Sequence, residues 1–189
     1  MANVDNPSGF APVRHISGAP YNGQSNRYSL LAADGTATFV GDLVKIEGSA
    51  TADGVPSVEQ ATAGATNIAG PVIGFEILPT DLTVLYRLAS TLRYALVCDD
   101  PYMLCEAQED SDGGALTVDE VGENCDIIVA AGNTTSGISA MEIDSSTHTA
   151  NAANIRVIGL VPRANNAVGT NARWEVLINE HAYKTTSGT

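Results

Sequence analysis

A chain of 189 residues with a formal net charge of −13 and only nine Lys and Arg argues against sequence-independent nucleic-acid binding, which needs clustered cations against the phosphates. The length suits one domain with a proper core. Charged residues at 16% and aromatics at 5% are few, and the surplus of Ala, Thr, Ser, Gly and Val favours short strands and many turns over long helices.

Residues 1–27 carry Pro7, Pro12 and Pro20 with Gly9, Gly18 and Gly23, and show no sustained periodicity. Three prolines remove backbone donors and fix φ, so the segment reads as an extended arm that orders against a partner surface. Phe10, Val13, Ile16 and Tyr21 are too apolar for a solvated tail. Arg14 and Arg27, against the lone Asp5, make the arm mildly basic. A docking arm is therefore the functional reading, and a frayed terminus the bland one. The polar residues 3–9 have neither the basic nor the apolar region of a secretory signal. No apolar run approaches the roughly 18 residues of a spanning helix, so the chain is expected to fold in the cytosol.

Residues 28–31 and 36–40 read as a hairpin about Ala33-Asp34-Gly35. Residues 41–76 follow as a meander of three short apolar runs, with turns at Gly48, at Asp53-Gly54 and around Gly64. Thr83, Val84 and Tyr86 tip residues 82–88 towards strand. Residues 93–97 and 103–108 are further strands about the turn Asp99-Asp100-Pro101. Thr117 with Glu120 three residues on makes a capping box, and Gly122 ends that single helical turn. Residues 125–130, 138–143 and 155–161 read as strands, and 162–171 as a polar loop. Residues 173–181 form the cleanest alternation in the chain, with Trp174, Val176 and Ile178 on one face. Leu177 breaks the polar character of the other face, which points to a cover by another element or subunit. The expected fold is all-β, a β-sandwich or small β-barrel of many short antiparallel strands. Its parts are an arm at 1–27, a body at 28–181 and a disordered tail at 182–189.

Chemistry is poorly represented. Asp99, Asp100, Glu106, Glu109, Asp110 and Asp112 are the best candidates for a hard cation, and Asp110-Ser111-Asp112-Gly113 echoes the start of a calcium loop, but the later ligands are missing at that spacing. No metal or cofactor is assigned. His15, His148 and His181 lie far apart, and Cys98, Cys105 and Cys125 read as reduced, part-buried thiols. Neither a GxSxG elbow nor a phosphate-binding glycine loop is present, so enzymatic activity is not expected.

The pieces GDLV, VEQATAG and IAGPVIGFE within residues 41–76 resemble the head decoration, or cement, proteins of tailed bacteriophages. The likeness extends to MANVDNPSGFAPVRHISGAPYNG, to YRLASTLRYALVCDDP and to residues 174–181. The resemblance implies a structural virion protein, made in the host cytoplasm, that binds the outer face of the shell built by the major capsid protein and stabilises it. It also favours a homotrimer, with a dimer as the alternative, while the alternation of the last strand assigns Trp174, Val176, Leu177 and Ile178 to the core or a subunit interface. A β-sandwich module recognising a cell-surface glycan is the competing reading, for which Tyr102 is the available loop aromatic.

Overall fold

Leu43 and Val44 are neighbours on one strand, and both are wholly buried, each in a different hydrophobic core. The computed structural model, which describes residues 3–184, shows the reason. The described strands are, in chain order, β1 (Ala11–His15), β2 (Asn26–Leu30), β3 (Leu43–Ala50), β4 (Pro56–Gln60), β5 (Ile68–Phe75), β6 (Arg93–Val97), β7 (Met103–Gln108), β8 (Asn124–Cys125), β9 (Ile127–Ile128), β10 (Glu142–Ile143), β11 (Ile155–Leu160) and β12 (Arg173–Ile178). β2, β4, β3, β5 and β6 close into a barrel, β1, β7, β12, β11 and β8 form a five-stranded sheet, and β9 pairs with β10. The fold is all-β, with single 3-10 turns at Val118–Glu120, Ser145–Thr147 and Ala182–Lys184. The first of these carries the capping box of Thr117 and Glu120.

One core fills the barrel, with Tyr28, Leu30, Val44, Val58, Ala69, Val72, Ala95 and Val97. The other lies between the barrel wall and the sheet, and joins Leu43 and Ile68 to Trp174, Val176, Ile178 and Cys105. Successive strand residues point to opposite faces. A wall strand covered on both sides therefore needs apolar residues at consecutive positions, which is why Leu43-Val44 and Ile68-Ala69 read as continuous runs.

In the sheet, β12 lies between β7 and β11, with Trp174 opposite Ala107 and Leu177 opposite Leu104. Trp174, Val176 and Ile178 are buried, while Arg173, Glu175 and Leu177 are half-buried on the reverse face. The chain's own side chains and backbone line part of that reverse face, around Glu106, Arg173 and Glu175. Arg14 pairs with Glu175 at 2.6 Å, Arg163 with the buried Glu106 at 2.5 Å, and Arg173 donates to Asn6 O at 2.6 Å and Ser8 Oγ at 3.1 Å.

Several expectations are corrected. Residues 3–27 lie against the chain's own body instead of standing free. Gly9, at φ +69°, crosses Gly41 so closely that a Cβ there would sit 2.4 Å from Gly41 O, and Phe10 N donates to that carbonyl at 2.8 Å. This crossing lets Phe10 sink into the inter-layer core. β1 then joins the sheet edge on β7, with its register shift between Pro12 and Arg14, a place where a residue without an N–H is tolerated. The hairpin expected over 28–40 is absent: β2 pairs with β6 along its length and meets β4 in parallel at Ser29 and Ser57, a departure from purely antiparallel pairing. Residues 82–88 form no strand; their one β-bridge is isolated, Arg87 to Thr38 in the segment between β2 and β3. Of the expected tail, Ala182–Lys184 is a 3-10 turn whose Lys184 Nζ donates to Ile178 O at 2.7 Å; the remainder lies outside the described residues, as do the first two positions of the arm.

Candidate functional site

Between β5 and β6 the chain makes an excursion, residues 76–92, that exposes Ile77 (77%), Leu82 (73%), Leu85, Leu88 and Leu92. Ordinary loops exposing this much apolar surface would collapse inward; this one is held out by polar anchors beneath it. Arg87 is completely enclosed and uses all five guanidinium donors. Nε donates to Thr91 O at 2.9 Å, Nη1 to Asp34 Oδ2 at 3.2 Å and to Thr36 O, and Nη2 to Leu31 O and to Asp34 O at 2.9 Å. A planar fork with five fixed donors suits several converging carbonyls. Burial lowers the Arg87 pKa, and Asp34 opposes that shift.

Arg93 holds the same excursion from the barrel side. It donates to Tyr86 O, to Val84 O at 3.0 Å and to Glu76 O at 3.5 Å, and lies 5.0 Å over the Phe75 ring. Phe39 and Tyr86 stack at 4.7 Å. Leu85 rests directly on Gly137, where a Cβ would come within 2.7 Å of the leucine's own Cβ. The leucines therefore form a platform fixed to its scaffold.

Beside the platform runs an open apolar groove of about 360 Å³, lined among others by Pro12, Tyr21, Val40, Val72, Ile73 and Ile138. It adjoins a hollow of about 380 Å³ under the platform, lined by residues including Val40, Phe75, Ile77, Leu82 and Leu85. Val40 belongs to both. Asp81 and Arg93 are the charged residues lining the pair, in a chain of net charge −13.

A second, smaller apolar patch lies at the opposite end of the barrel. β6 starts at the platform, with Arg93 opposite Leu30, and ends with Val97 opposite Asn26. Just beyond, Ile16 N donates to Tyr102 O at 2.9 Å, and Ile16 (48%), Tyr102 (52%) and Tyr183 are exposed. Tyr28 OH, on Asp99 at 2.8 Å and Tyr183 OH at 2.6 Å, ties this end together. Lys184 Nζ lies 5.5 Å from the Tyr102 ring, and the His15 ring flanks it at 6.1 Å.

The residues singled out in the arm are dispersed by the fold. Phe10 is buried, Val13, Arg14 and Tyr21 are half-buried, and Ile16 and Arg27 are exposed. Arg27 pairs with Glu76 at 2.6 Å and lies over Tyr94. The platform itself escaped sequence reasoning. Its signal was Leu82, Leu85, Leu88 and Leu92 at three- and four-residue intervals, masked by Thr83, Val84 and Tyr86, whose β preference favours a strand over the same residues.

Most of the acidic residues singled out in the sequence accept hydrogen bonds within the fold. Asp99 accepts from Asn26 and Tyr28, Asp100 from Gln24, Glu109 from Ser111 and Leu116 N, and Asp110 from Ser145. Among the described residues no group of three or more His, Cys, Asp and Glu is placed to hold a metal ion. The three cysteines are free and buried, and burial raises the thiol of Cys98 to about 11 and that of Cys125 to about 12, which withholds the thiolate a nucleophile requires. Comparison of the chain with protein-family models, with curated proteins and with solved structures finds no match.

Proposed function

We propose that this chain is a structural virion protein that decorates the outer surface of a shell built by a major capsid protein and stabilises it. The observation that carries the reading is the grouping of exposed apolar side chains at the two ends of one barrel, with the larger group pinned by buried arginines. Fixed apolar surface of this kind serves contact with other proteins. The resemblance of residues 41–76 and of the N-terminal segment to phage decoration proteins supplies the kind of assembly, and the acidic surface suits a protein held at high local concentration facing solvent.

On this reading the end bearing Ile16, Tyr102 and Tyr183 faces the shell, and the chain acts as a homotrimer, with a dimer as the alternative. Each protomer's contact is small. Several contacts joined in one oligomer hold one another at high effective concentration, so weak attachment becomes firm. Co-sedimentation with shells of the parent particle stripped of this protein tests the proposal. Saturable binding by the native chain, lost in Ile16→Asp/Tyr102→Asp, is the expected result; absence of binding by the native chain overturns it.

A further inference from the structure

We infer that the groove beside Val40 is the seat of residues 77–85 from a second copy of this chain. Three features of the platform support this contact, which rests on the oligomer proposed above and gives that oligomer a specific surface.

The first is shape. A projecting apolar loop and an open apolar groove lie side by side, joined through Val40. A protein that associates with itself needs both halves of the contact on its own surface, and cyclic or two-fold pairing then lets each copy's projection fill another copy's recess. Leu82 and Ile77, the most exposed of the platform side chains, are the natural occupants of a recess walled by Pro12, Tyr21, Val40, Ile73 and Ile138.

The second is charge. Two chains at −13 repel wherever their carboxylates approach. The groove carries no charged lining residue, and the docking segment 77–85 carries one, the exposed Asp81, whose Oδ1 already accepts from Thr83 N and Oγ1. An acidic protein recruiting a basic partner would use acidic residues around the contact for steering. A charge-poor contact is instead what an acidic protein needs to meet a copy of itself.

The third is rigidity. Arg87 spends five donors and Arg93 three hydrogen bonds on holding a loop whose outer side chains contact solvent. Preorganising a loop lowers the ordering cost of association, and it places Leu82 and Leu85 at a fixed offset from the groove.

The test uses the purified full chain and light scattering coupled to size exclusion over a broad concentration range. The native protein is expected at a whole multiple, two or more, of its 19.5 kDa mass. Leu82→Asp/Leu85→Asp removes the projection and Ile138→Arg blocks the recess; each is expected as a monomer with unchanged circular dichroism. Mixed together, the two variants retain one intact projection and one intact recess, and a heterodimer is expected to form from them. A monomeric native protein overturns the inference, as does an oligomer that the Leu82→Asp/Leu85→Asp variant leaves intact. Those leucines are exposed, so this variant reads out association even if Ile138→Arg fails to fold. A native monomer whose platform becomes protected on stripped shells would assign the surface to the shell subunit instead. The readout needs only this chain, so its failure leaves shell binding to be decided separately.

Discussion

Arg87 and Asp34 form a 3.2 Å ion pair in which the guanidinium has no solvent exposure and the carboxylate very little. The pair joins two loops that are 53 residues apart in the chain. Removing one partner of such a pair leaves a buried charge and, here, four orphaned carbonyls. Arg87→Ala should therefore cost about 3–5 kcal/mol, read from urea denaturation. Arg87→Lys should recover less than half of that loss, because an ammonium cannot reproduce five forked donors.

Gly137 supports Leu85 at a distance that leaves no room for a methyl group, and its φ of +73° is itself costly for other residues. Gly137→Ala should destabilise the fold by about 1–3 kcal/mol through strain and displacement. It should also make the amides of residues 82–88 exchange faster, while those of β12 stay protected. Unchanged exchange in the excursion would show that Leu85 is not seated on residue 137.

Trp174 is fully buried in the inter-layer core, and its Nε1–H meets no hydrogen-bond acceptor. Trp174→Ala should cost about 3–5 kcal/mol by leaving a large cavity. Trp174→Phe should cost clearly less, since the smaller ring discards an unsatisfied buried donor along with part of the packing. Paired denaturation midpoints for the two variants separate volume from polarity.

His181 and Glu142 give the fold opposing pH slopes. Burial, then the nearby Lys184, lowers the wholly buried His181 to about 4 from an ordinary 6.5. The unfolded chain thus binds a proton that the folded chain refuses; the contribution is present above 6.5 and is lost as pH falls through 4, a change of about 3 kcal/mol in all. Glu142 is pushed up to about 7 from 4.5 by burial and then by Asp5, with which it shares the Gln108 amide at 3.0 Å. Its contribution is full below 4.5 and is lost as pH rises through 7. Between 4.5 and 6.5 the two slopes oppose. Glu142→Gln should therefore lose stability on acidification more steeply than the native chain across that window, as read from urea midpoints at a series of pH values.

Deletion of residues 1–23 should destabilise the isolated domain. It removes Phe10 from the core and β1 from the sheet edge, and it uncovers Arg173, which donates to Asn6 and Ser8. Loss of the buried phenylalanine alone is worth about 3 kcal/mol or more. A deletion variant that melts with the native chain would restore the reading of this segment as a separable arm.

By itself the amino-acid sequence determined the all-β class, the location of β3, β5, β6, β7, β11 and β12, the capped turn after Thr117, and the inward face of Trp174, Val176 and Ile178. These follow from local properties: side-chain alternation, β-branching, turn residues and a cap three residues long. Tertiary structure alone decided which strands close the barrel, that β2 meets β4 in parallel, and that Phe10 belongs to the core. A pairing partner is chosen by contacts between residues far apart in the chain, and Gly9 reads as a turn residue until Gly41 is brought beneath it. The same holds for the platform. Leu82, Leu85, Leu88 and Leu92 predict burial by composition, and they stay exposed because Arg87 reaches back to Leu31, Asp34 and Thr36 while Arg93 binds carbonyls of the excursion. Those bonds are made by side chains, and those from Arg87 to Leu31, Asp34 and Thr36 cross more than 50 residues of chain, so they leave no periodic trace in the sequence.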